Sequence, residues 1–145
     1  MKVRVKYWSI KDLPEERLQR LENLDRLKSI GYNAGGVPLG TEFTVYGIMF
    51  REGNVVYNLA DTPEGEILVM CLAELFDIVD PRTSKYWECR IPNEGGLCLW
   101  PRSWFELEYY HDRLSDGDPE IEEDFRRIKS LLEAEANEPL PPADE

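Results

Sequence analysis

Few side chains in this sequence have the means to do chemistry. His111 is the only histidine, set between Tyr110 and Asp112, and a nucleophile working with it would be Ser103, Ser115 or a cysteine. Neighbouring positions in sequence give no geometry, and a lone histidine at the end of a strand more often sits at a surface or interface. Two carboxylate pairs, Asp77 with Asp80 and Glu106 with Glu108, have the chemistry for general acid–base work or for a hard cation. A spacing of two puts Glu106 and Glu108 on one side of a strand, and the simplest use of that is a wetted face. The acids from Asp116 to Asp124 enclose Gly117, but that glycine comes too early for a calcium loop and Pro119 opens a helix where ligands should continue.

The remaining motifs are negative. Cys71, Cys89 and Cys98 are odd in number and lack the close pairs of a zinc site, so buried thiols in a reducing compartment are expected and no metal or cofactor. Gly35 and Gly36 belong to neither phosphate-binding glycine pattern, which leaves the stretch 31–40 as a connecting loop.

The elements that would position these residues follow from periodicity. Val3, Val5 and Tyr7 alternate with Lys2, Arg4 and Lys6, giving a first strand rather than a signal peptide. Asp12, Pro14 and Glu15 start a helix whose stripe Leu18, Leu21, Leu24, Leu27 and Ile30 ends at Gly31. Residues 42–50 and 55–60 form a hairpin about Glu52-Gly53-Asn54, and a third strand, 67–72, is apolar on both alternating sets, which implies cover on both faces. A helical turn at 73–76, a proline-closed edge strand at 77–81, and strands at 84–91 and 97–100 complete the β region. Ile121, Phe125, Ile128 and Leu132 mark a second helix from Pro119.

This order predicts a single α+β domain over residues 1–136, an antiparallel, strongly bent sheet flanked by an N-terminal and a C-terminal helix, with a mobile acidic, proline-rich tail at 137–145. The meander over residues 41–91, with a helical turn before a late strand, resembles a small SH3-like barrel. That resemblance is architectural and implies no activity.

Charge narrows the partners. The net charge of −12 is uneven, with +3 over residues 1–30, −7 over 31–111 and −8 over 112–145. Such a surface repels nucleic acid and anionic lipid, and no apolar run has the length of a membrane span, so a cytoplasmic protein that attracts a basic protein is expected. Interface hot spots favour Trp, Tyr and Arg, which singles out Tyr86, Trp100, Trp104, Tyr109 and Tyr110 beside the acids Asp77, Asp80, Asp118, Glu120, Glu122 and Glu123.

The run Ala73-Glu74-Leu75-Phe76-Asp77-Ile78-Val79-Asp80, followed by Ser84-Lys85-Tyr86-Trp87, resembles a pattern in small bacterial proteins, some of them similar to immunity proteins that neutralise toxins. The resemblance implies a toxin domain as partner, with Asp77, Asp80 or the acids of 116–124 mimicking phosphate in a basic nuclease cleft. The expected function is thus non-catalytic protein binding. A small enzyme using carboxylates and His111, and a homodimer burying the aromatics against itself, are the alternatives.

Overall fold

The computed structural model describes residues 1–34, 36–93 and 95–139. Gly35 of the glycine loop, Glu94 of the turn before the last strand, and residues 140–145 of the expected tail lie outside the described residues. In chain order the elements are β1 (Lys2–Val5), α1 (Glu15–Leu18), α2 (Leu24–Ile30), β2 (Glu42–Thr44), β3 (Gly47–Arg51), β4 (Asn54–Ala60), β5 (Leu68–Leu72), β6 (Phe76–Asp80), β7 (Trp87–Arg90), β8 (Leu97–Pro101), α3 (Arg102–Glu106), α4 (Tyr110–Ser115) and α5 (Pro119–Ala136).

Two open antiparallel sheets replace the single bent sheet and the SH3-like barrel. One has the order β2-β1-β6 and the other β5-β4-β3-β8-β7, and neither closes on itself. The cause lies at Val45-Tyr46, inside what reads as one strand from 42 to 50. The Val45 N–H donates to Met1 O at 3.0 Å, while the next N–H, of Tyr46, donates to Asn58 O at 2.9 Å, so the chain changes sheets there. Both side chains are buried at the seam. Beyond it, Glu52 and Gly53 have φ of 51° and 81°, the mirror-image turn whose twist matches the strands it joins.

The N-terminal helix is two short pieces. Asn23 adopts a left-handed conformation, φ 55° and ψ 51°, tolerated by asparagine better than by most residues. The buried Asn54 amide accepts from the Glu22 N–H and donates to the Glu22 C=O, each at 2.9 Å, taking up both backbone groups that a continuous helix would use. Leu21 and Leu27 are buried as the stripe requires, whereas Ile30 is 42% exposed.

Phe76 joins the sheets, meeting Phe43 edge-on at 6.5 Å and Tyr57 of β4 at 5.8 Å. On α5 the stripe holds as the spacing requires, with Ile121, Phe125, Ile128 and Leu132 all buried, and Phe125 meeting the seam residue Tyr46 at 6.0 Å. The third strand is less covered than its composition implies: β5 is an edge, and Ile67 and Met70 are exposed. At the end of α5, Lys2 Nζ donates to Asn137 Oδ1, and the Arg82 guanidinium donates to the carbonyls of Glu138 and Pro139. Among the described residues no helix is long and apolar enough to cross a membrane.

Candidate functional site

One face of the five-stranded sheet carries Gly47, Met49 and Arg51 on β3, Asn58 on β4, Met70 on β5, and Cys98 and Trp100 on β8, because residues paired across antiparallel strands share a face. The arm formed by α3 and α4 lies over part of that face. Pro101 ends β8 and stands at the head of α3, so the chain turns from strand to helix directly after Trp100. Trp104 then falls onto Trp100 with 6.0 Å between ring centroids, and Tyr110 stacks on Trp104 at 5.7 Å. The strand expected to carry Glu106 and Glu108 is therefore helix and loop, and His111 lies in α4 rather than at a strand end.

Hydrogen bonds fix this arm. The fully buried Asn58 accepts from Trp100 Nε1 at 2.9 Å and directs its own amide at Met49 Sδ, 3.5 Å away. A Cβ on Gly47 would come within 2.6 Å of Trp100 Cδ1, so the smallest residue is required below the indole. Asp124 of α5 accepts from Ser103 Oγ and Tyr110 Oη, both at 2.7 Å, and from Arg127 at 3.0 Å. Burial disfavours that carboxylate, yet these three donors hold its pKa below the ordinary value. Replacing Trp100 with phenylalanine is expected to cost about 1–2 kcal/mol in urea denaturation, because Asn58 Oδ1 loses its donor inside the protein. A loss below about 0.5 kcal/mol would show that the amide finds another partner.

His111 is enclosed by rings, with centroids 5.0 Å from Trp100 and 5.1 Å from Trp104. Its Nε2 is shielded from solvent and has no hydrogen-bond partner among the described residues. Burial, aided by the positive charge of Arg51 and opposed by Asp112, lowers its pKa to about 4, so the imidazole is neutral near pH 7. The Ser103 hydroxyl is committed to Asp124.

Between the arm and the uncovered remainder of the sheet face runs a groove of about 670 Å³. Met49, Arg51, Trp100 and Trp104 line it from the sheet and arm, and Met70, Ile91 and Tyr109, which are 38%, 71% and 70% exposed, also line it. Arg90 lies at the β7 side, paired with Glu88 and Glu106, its guanidinium 5.2 Å from the Phe105 ring centre. A second cavity, of about 250 Å³, lies between α2 and the β3–β4 hairpin and shares Arg51 with the groove.

The residues expected to meet a partner are not gathered in one place. Trp100, Trp104 and Tyr110 are core, at 7%, 3% and 2% exposure, whereas Tyr109 is exposed and Tyr86 half-buried beneath Lys85. Asp77 on β6 is bound by Arg17 at 2.6 Å and Lys6 at 3.4 Å, and its pKa is lowered chiefly by Arg17. Asp80 is clasped by Arg82 at 2.7 Å, which brings its pKa down to about 2. Asp118 caps α5 at the Glu120 N–H and pairs with Arg113, which also holds Glu120, while Glu122 pairs with Arg126. Glu123 is exposed and shows no ion pair among the described residues. Cys71 and Cys98 are buried, but Cys89, expected inside, is exposed on the edge strand β7.

Met49, Arg51, Asn58 and Met70 escaped the sequence reading. The available signal was alternation along β3, which sets Arg51 on the face of Met49 in a region where acids outnumber bases by 12 to 5.

No family model, curated protein or solved structure matches the chain. The likeness of residues 73–87 to immunity-type proteins gains no support from these comparisons. Its phosphate mimics Asp77 and Asp80 are moreover spent on internal arginines, and the toxin-neutralising reading is given up.

Proposed function

We propose that this chain is a non-catalytic protein-binding module that receives a segment of its partner in the groove between the α3–α4 arm and the sheet. The carrying observation is the groove's lining: Met70, Ile91 and Tyr109 stand exposed beside a buried layer of Met49, Trp100 and Trp104. Methionine, tyrosine, tryptophan and arginine are enriched where proteins meet, and methionine adapts its shape to what it touches. The groove is partly open to solvent, which suits a chain segment better than an enclosed small molecule. Several groups that acid–base catalysis would use are already engaged: the His111 Nε2 is shielded from solvent among rings, and Asp77, Asp80 and Asp124 are held by arginines and hydroxyls. We infer a cytoplasmic setting, since an exposed thiol, that of Cys89 on the edge strand β7, suits a reducing compartment.

Affinity capture with three tagged forms tests this reading: wild type, Met70→Glu with Tyr109→Ser in the groove, and Glu120→Gln with Glu123→Gln on the acidic face. One partner should be retained by wild type and by the acidic-face variant, and lost by the groove variant with its circular dichroism unchanged. Loss only in the acidic-face variant would move the contact to the start of α5.

A further inference from the structure

The groove reading can be taken one step further, to the chemistry of its occupant. We propose that the partner segment carries a carboxylate beside a large apolar side chain, and that Arg51 receives that carboxylate. The sequence has 11 arginines. Ten of them, all but Arg51, have a carboxylate within 4.0 Å. Arg51 makes no ion pair among the described residues, in a protein with 29 acidic side chains. It is also only partly exposed and lies where the groove and the second cavity meet.

This half-buried guanidinium has lost part of its hydration without gaining a counter-ion among the described residues, and a bound anion restores the balance. Its planar fork matches a carboxylate with two parallel hydrogen bonds. Met49, two residues earlier on β3, and Trp100 on the adjacent β8 place apolar surface on the same sheet face, so the anion should come with an apolar neighbour. A singly charged group fits better than a phosphate dianion, because Glu108 and Asp112 line the same groove and the whole chain carries −12.

The test is an NMR titration of the full chain with N-acetyl-tryptophan, which has the carboxylate, and N-acetyl-tryptophanamide, which lacks it. Signals of the Trp100 indole and the Met70 methyl report the groove. Wild type should bind the acid about fivefold or more tightly than the amide, the scale of one charge-assisted contact at a partly exposed site. Arg51→Gln should bind both equally, and Arg51→Lys, which keeps the charge but not the fork, should fall between. Equal binding of both probes by wild type would overturn the role of Arg51 and leave the groove reading intact. Phenyl phosphate binding more tightly than N-acetyl-tryptophan would overturn the carboxylate assignment. Groove signals unmoved by every probe would remove the groove reading itself.

Discussion

Replacing Phe125 with alanine should cost about 3–5 kcal/mol, a large share of the roughly 5–15 kcal/mol that holds a domain of this size folded. The ring is 1% exposed, in the middle of the buried stripe of α5. It meets Tyr46 edge-on at 78°, at the point where the chain crosses between sheets, so the cavity would open at the joint rather than in one layer. Tyr46 cannot close that space easily, because its hydroxyl is tied to Glu133 at 2.7 Å and its carbonyl accepts from Trp87 Nε1 at 2.9 Å. Urea denaturation gives the free energy, and the melting temperature should fall by roughly 10 °C or more. Arg126→Ala, on the exposed side of the same helix, serves as control, and a change of about 0.5 kcal/mol is expected there. A loss below about 1.5 kcal/mol for Phe125→Ala would mean that the seam repacks and that α5 does not fasten the two sheets.

That same helix shows what the sequence can reveal. The α5 stripe and the turn about Glu52-Gly53-Asn54 are local patterns, set by 3.6-residue periodicity and by turn-forming residues, and both stand where the sequence puts them. The division into two sheets is not local. Nothing between Glu42 and Phe50 marks Val45 as the exchange point, because a β-rich run bonded to Met1 on one side and Asn58 on the other has the composition of one continuous strand. The break in the first helix likewise depends on Asn54, 32 residues away, whose amide competes for the backbone of Glu22. At the candidate site the error has a physical source: Trp100, Trp104 and Tyr110 look like an excess of aromatics, yet they form the packing between arm and sheet. The groove is lined instead by the less conspicuous methionines and by Arg51, which has no ion pair among the described residues. Composition alone cannot distinguish an arginine with a carboxylate beside it from one without.

His111 makes stability depend on pH in a window that belongs to no other shifted side chain on the arm. Its folded pKa of about 4 lies below the ordinary 6.5, so the folded state binds the proton less readily than the unfolded chain. The stabilisation is therefore complete above about pH 6.5, falls as pH drops through the unfolded value, and loses nothing further below about pH 4. Between about pH 7 and pH 5 the loss should be about 2 kcal/mol. The depressed carboxylates Asp77, Asp80, Asp118 and Asp124 act at lower pH: their contributions hold above the ordinary carboxylate range and fade only as pH falls toward their lowered values. His111→Gln removes the titration while keeping a polar side chain of similar reach. Urea midpoints for the two proteins should then converge as pH falls from about 7 to about 5, most of the wild-type slope being absent from the variant. Parallel slopes in the two proteins would show that the imidazole takes up its proton in place, which requires the α3–α4 arm to open or water to reach Nε2.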